Sequence, residues 1–101
     1  MRVVIPCDDT SMEYIAPHFG RCRYFCVYDN GSRSVVENPG YSMPRRAGVA
    51  AANRVAQLKP DMVIVRSLGP NSSRVLQMAG IRVFFAKSDR IEDALREAGI
   101  I

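Results

Sequence analysis

The sequence predicts an α/β domain with a five-stranded mixed sheet and three helices. Three observations lead there. Short β-branched apolar runs without helical period recur at 2–7, 61–65 and 81–86, an Asn30-Gly31 pair joins two alternating segments, and three stretches with helical spacing accompany the later runs. At 101 residues the chain buries a single core, so one domain is expected over residues 1–101.

Arg2 to Cys7 is read as the first strand, and its continuous Val3-Val4-Ile5 run predicts burial on both faces, hence a central position. Asp8-Asp9-Thr10-Ser11 opens a long loop that runs through Pro17-His18-Phe19-Gly20. From Arg23 to Asp29, Tyr24, Cys26 and Tyr28 alternate with Phe25 and Val27, and Asn30-Gly31 supplies a type I′ turn into Arg33 to Glu37. Asn38 to Arg46, with two prolines and a glycine, is expected to be a loop carrying Arg45 and Arg46. Gly48 to Leu58 follows as an amphipathic helix that stops before Pro60. Asp61 to Val65 is the fourth strand, Pro70 to Ala79 a helix closed by Gly80, and Ile81 to Ala86 the fifth strand. The last helix is expected to be capped by Ser88 or Asp89, with Ile91, Ala94, Leu95 and Ala98 forming its apolar stripe before Gly99.

This order implies that strands one, four and five run parallel and that the second is antiparallel to the first. The loops after the parallel strands, from Asp8, Arg66 and Lys87 onward, then emerge on one edge of a two- or three-layer domain, where open α/β sheets bind ligands.

Composition narrows the function classes. With 48% hydrophobic and 24% charged residues the chain is neither a disordered segment nor a coiled coil. No apolar run approaches the roughly 20 residues of a membrane helix, and Met1-Arg2-Val3-Val4-Ile5-Pro6 lacks a signal core, so a cytoplasmic protein without a membrane partner is expected. Three cysteines without paired spacing fit free thiols or metal ligands better than disulfides. A net charge of +4 favours an anionic partner, but the cations are dispersed, and charge alone does not choose among nucleic acid, phosphate and an anionic metal cluster.

Cys7, His18 and Cys22 are the candidate metal ligands, because the thiols and the imidazole fall at the same sheet edge and suit soft metals and iron clusters. Cys22 and Cys26 are separated by about 13 Å along a strand and cannot chelate one ion together. Against ligation stands the ordinary reading: small buried hydrophobes for the cysteines, most strongly for Cys26, and a loop anchor for His18. Gly69-Pro70-Asn71-Ser72 leaves free amides at a helix start, either a weak anion site or a simple helix beginning. No G-x-S-x-G is present, and Asp8, Asp9, Asp29, Glu37, Asp61 and Asp89 scatter over both ends of the sheet, which gives a hydrolase triad or a two-metal site little support.

Several segments together resemble the dinitrogenase iron-molybdenum cofactor biosynthesis family. These are Arg2-Val3-Val4-Ile5-Pro6 with Asp8-Asp9, Ile15-Ala16-Pro17-His18-Phe19-Gly20-Arg21, Tyr24-Phe25, Glu37-Asn38-Pro39, Gly48-Val49-Ala50-Ala51-Ala52, Asp61-Met62-Val63-Ile64-Val65, Gly69-Pro70-Asn71 and Ala79-Gly80-Ile81-Arg82-Val83. The resemblance covers nearly the whole chain, and His18-Phe19-Gly20-Arg21 is its most specific part. It implies a ribonuclease H-like α/β domain, not an enzyme, that carries or helps assemble an iron-sulfur or iron-molybdenum cluster. Its partners would then be that cluster and cluster-assembly or nitrogenase-maturation proteins. His18 becomes a candidate cluster ligand, and the edge carrying Gly69 and Asn71 becomes part of a cleft. Arg21, Arg45, Arg46 and Arg66 would supply potential for an anionic cluster. Thiolate ligation by Cys7 or Cys22 would be peculiar to this chain. Where some relatives place histidines before the first helix, this chain has Pro44-Arg45-Arg46, and Asp89-Arg90-Ile91 replaces the usual Gly-Thr-Val before the last helix. So few ligands per chain are also compatible with a cluster bridging a homodimer. The rival expectations are a ribonuclease H-like metal-dependent nuclease and a metal-free module binding an anion or a protein.

Overall fold

In the computed structural model, which describes residues 1–101, the strands are β1 (Arg2–Cys7), β2 (Tyr24–Asp29), β3 (Ser32–Glu37), β4 (Met62–Val65) and β5 (Arg82–Phe85), arranged β3-β2-β1-β4-β5. β1 pairs antiparallel with β2 and parallel with β4, which is in turn parallel to β5. The central position expected from Val3-Val4-Ile5 is observed, with all three residues fully buried. Asn30 and Gly31 have φ of 51° and 89°, the left-handed pair that a type I′ turn demands.

The alternation along the strands sorts the core into two layers. Val4, Phe25, Val63 and Val65 face α1 (Ala47–Leu58) and α2 (Pro70–Met78), whose Ala51, Ala52, Val55 and Leu76 complete that side. Val3, Ile5, Cys7, Cys26 and Ile64 face the other way and are covered by Ile91, Ala94 and Leu95 of α3 (Ile91–Glu97). The architecture is therefore three-layered, helices on both faces of the mixed sheet. No helix is long and apolar enough to cross a membrane.

Two expectations need correction. The 38–46 segment is not all loop, because Pro39–Ser42 forms one turn of 3-10 helix, and the Asn38 side chain caps it by accepting from the Gly40 N–H at 2.9 Å. Neither Ser88 nor Asp89 caps α3; Arg90 stands at its start without a side-chain cap. The β1–β2 loop does that work, since the Ile91 N–H donates to the Glu13 carbonyl and the Ile15 N–H to that of Asp89. A partner distant in sequence thus replaces the local cap.

The long β1–β2 loop is fixed from several sides. The Ala16 N–H donates to the Pro6 carbonyl at 2.8 Å, and the Ser67 hydroxyl at the end of β4 donates to the Pro17 carbonyl at 2.7 Å. Asn38, only 4% exposed, donates through Nδ2 to the carbonyls of Gly20 at 3.2 Å and Cys22 at 2.8 Å. Gly40 is wedged alongside: a Cβ there would lie 2.5 Å from both the Ala47 and the Gly20 carbonyl oxygens.

Two substitutions test this wedge. Asn38→Ala leaves buried carbonyls and the Gly40 N–H without partners and is expected to cost about 1–3 kcal/mol in urea unfolding. Gly40→Ala forces backbone apart and should cost about 1–3 kcal/mol or more, whereas Gly69→Ala, with nothing within 4 Å of the added atom, should leave the urea midpoint nearly unchanged.

Candidate functional site

The loop held by Ser67 and Asn38 delivers His18, Gly20 and Arg21 to one wall of a hollow of about 530 Å³, and Arg46, Ala47, Gly48 and Asn71 form the other. A second hollow, of about 420 Å³, shares Arg46, Gly48 and Asn71 with it and adds Val49, Arg74 and Val75. The two make a continuous cleft over the beginnings of α1 and α2. Those beginnings are held together at close range, because the Ser72 hydroxyl donates to the Gly48 carbonyl at 3.0 Å. The approach is close enough that a Cβ at 48 would lie 2.6 Å from Ser72 Oγ and would displace that hydroxyl.

The electrostatics of this cleft have one sign. Both helices start without a side-chain cap and without an acidic residue in the first turn. In α1 the first backbone bond runs from the Ala50 N–H to the Arg46 carbonyl, and in α2 from the Ser73 N–H to that of Gly69, so earlier amides have no partner within the helix. Free N–H groups and the positive helix ends therefore meet beside three arginines, and no carboxylate lines either hollow. Arg46 sits in the left-handed region at φ 60°, which turns the chain into α1. Arg21 uses part of its guanidinium to donate to the Met43 and Pro44 carbonyls, at 2.6 and 3.2 Å, and this pins it against the cleft wall.

Of the residues singled out in the sequence, the structure gathers His18, Arg21 and Asn71 in one cleft, with Arg46. Gly69, two residues before Asn71, is the exposed N-cap of α2 and stands outside the wall. Arg45 and Arg66 are exposed and line neither hollow. Cys7 and Cys22 lie in the core, each 1% exposed, in different apolar clusters: Cys7 in the one covered by α3 and Cys22 in the one shared with α1 and α2. The Cys22 thiol donates to the Tyr24 carbonyl at 3.3 Å. No three His, Cys, Asp or Glu side chains converge in a geometry that could hold a metal ion, so the carboxylates that a two-metal nuclease needs are not assembled. Arg74 was not singled out from the sequence, although it lies three residues after Asn71 on the same face of α2, a spacing that could have found it. The Gly48–Ser72 contact has no sequence signal.

Burial pushes the Cys7 and Cys22 thiols up from the usual 9.0 to about 12 and raises that of Cys26 as well. The folded chain thus holds these protons to higher pH than the unfolded chain. Their contribution to stability is fully present below about pH 9 and is lost as pH climbs towards 12. In native protein near neutral pH all three cysteines should resist iodoacetamide and should react promptly once urea unfolds the chain. Fast labelling of Cys7 or Cys22 in the native state would show that the thiols are not buried as described.

A family model for the dinitrogenase iron-molybdenum cofactor matches residues 1–99. An uncharacterized protein of Methanocaldococcus jannaschii is 27% identical over 101 residues, spanning 95% of this chain and 83% of that protein. Among solved structures, the apo form of the orange protein from Desulfovibrio gigas superposes with a TM-score of 0.86 at 24% identity, covering 98% of this chain and 88% of that one. A Thermotoga protein assigned provisionally as a NifB protein superposes with a TM-score of 0.78 at 23% identity, covering 98% and 89%. At those identities the two structures show the shared fold alone. With the family model spanning residues 1–99, this chain belongs to the dinitrogenase iron-molybdenum cofactor family.

Proposed function

We propose that the protein binds an anionic iron-sulfur or iron-molybdenum cluster in the His18 cleft and serves as a carrier or assembly factor rather than as an enzyme. The observation that carries this reading is the pairing of one exposed imidazole with a cleft whose other polar groups are cationic or donating: Arg21, Arg46, Arg74, Asn71 and the uncapped starts of α1 and α2. A cluster is cargo here. Its terminal iron would take the His18 imidazole, while its sulfides and any carboxylate ligands would accept from the arginines and the amides. One protein ligand and an open cleft suit release to a recipient, since a closed multi-ligand site would retain the cargo.

Cys7 and Cys22 are buried and line neither hollow, so their ligation would require the chain around them to open. The strand order β3-β2-β1-β4-β5 supports a ribonuclease H-like topology. A cytoplasmic location and hand-over to cluster-assembly or nitrogenase-maturation proteins complete the reading, with a cluster-bridged homodimer as a further form it admits.

Anaerobic titration with isolated iron-molybdenum cofactor, and separately reconstitution with iron and sulfide, tests this by metal analysis and visible absorption. His18→Ala should shift the cluster's absorption and shorten its retention on a desalting column. Arg46→Gln should weaken binding by about tenfold, the loss of one charge-assisted contact, and added salt should weaken it further. Equal metal content in wild type and both variants would remove the cluster from this cleft.

A further inference from the structure

A further hollow, of about 640 Å³, is lined in part by the Pro39–Ser42 turn. Its walls come from the start of β2, the end of β3, the turn itself and the outer face of α1, and they include Arg23, Glu37, Asn38, Tyr41, Ser42 and Arg54. None of the His18 cleft residues lines it.

Three features set this hollow apart from a chance surface depression. The Arg23 guanidinium lies over two rings, its central carbon 5.5 Å from the Tyr24 centroid and 5.6 Å from that of Tyr41. Such cation–π contacts hold a guanidinium in place without using its N–H donors. The ion pairs of the protein, Arg2 with Asp29 and Arg96 with Glu92 and Asp93, involve none of the charged groups in the hollow. Arg54 makes only a long contact to Gln57, at 3.4 Å, so it too faces the hollow with donors to spare. Finally, Tyr41 is 53% exposed with one ring face committed to Arg23, which leaves the other face free for a planar group.

We propose that this hollow is a second, metal-free binding site for a small organic anion that carries a planar ring, with a nucleoside monophosphate as the fitting chemistry. The phosphate oxygens accept from Arg23 and Arg54, two cations that form no salt bridge within the protein. The ring stacks on the free face of Tyr41. Glu37 accepts from an exocyclic amine or a sugar hydroxyl, so the single acid in the hollow recognises the donor end of the ligand rather than repelling its anion. The volume falls in the usual range for small-ligand sites, and the polar lining fits a charged ligand better than an apolar one.

The site is separate from the proposed cluster cleft, and a residue-resolved experiment keeps the two apart. Uniformly 15N-labelled protein without metal is titrated with AMP, adenosine and inorganic phosphate, and amide and arginine side-chain shifts are followed. AMP is expected to give saturable shifts at Arg23, Tyr41 and Arg54, to bind about tenfold more tightly than phosphate, which lacks the ring, and to lose about tenfold in affinity in Arg54→Gln. Tyr41→Ala should reduce AMP to the affinity of phosphate. The proposal is overturned if AMP shifts appear only at His18 and Asn71, if no titration saturates at millimolar concentrations, or if folded Arg54→Gln and Tyr41→Ala bind AMP as wild type does.

Discussion

A single buried amide holds the site together. Asn38 donates to the Gly20 and Cys22 carbonyls, accepts from the Gly40 N–H, and through its backbone donates to the Arg23 carbonyl and accepts from the Tyr41 N–H. It therefore joins the end of the His18 loop, the start of β2 and the one-turn helix before α1. Gly40 then carries the connection to α1, because its missing side chain lets the Gly20 and Ala47 carbonyls approach from both sides. Both walls of the cationic cleft, Gly20–Arg21 and Arg46–Gly48, are referenced to this wedge. In a buried setting each of these hydrogen bonds matters less for its net energy than for the cost of leaving its partner unmade.

The sheet topology supplies the rest of the geometry. β1 and β4 run parallel, so the chain leaves them at the same edge, and the right-handed crossovers of such units bring α1 and α2 to lie side by side on one face. Their uncapped first turns converge at Gly48 and Ser72, and selection of arginine over acid around them leaves an unbalanced positive potential. The cysteines belong to a different task. Cys7 and Cys26 pack toward α3 and Cys22 toward α1, and burial keeps all three thiols protonated in the folded chain. They behave as small apolar side chains of the core.

Much of the fold was legible in the sequence because its signals are local. Val3-Val4-Ile5 marked the central strand, Asn30-Gly31 the hairpin, and Pro60 and Gly80 the helix limits. The missed elements have different causes: the Pro39–Ser42 turn is capped locally by Asn38, inside a stretch whose prolines and glycine read as a loop, whereas the start of α3 is satisfied by the distant Glu13 rather than by Ser88 or Asp89. The site divides in the same way. His18, Arg21 and Asn71 sit on loops whose edge follows from strand order, and they meet as the topology implies. Cys7 was read as a ligand from its place at the sheet edge, but the period of two along β1 puts it with Val3 and Ile5 in the core covered by α3. Cys22 lies outside any strand, so its direction was not readable, and the Gly48–Ser72 approach is purely tertiary.

The central claim is that the cleft between His18 and the starts of α1 and α2 receives an anionic metal cluster. Its most direct test is paramagnetic broadening in 15N-labelled protein loaded anaerobically with less than one equivalent of cluster. The account predicts that the amides of His18, Gly20, Gly48 and Asn71 disappear first, while those of β3 and α3 stay sharp. Broadening centred on Cys7 and Cys26 beneath α3, or spread evenly over the surface, would contradict it.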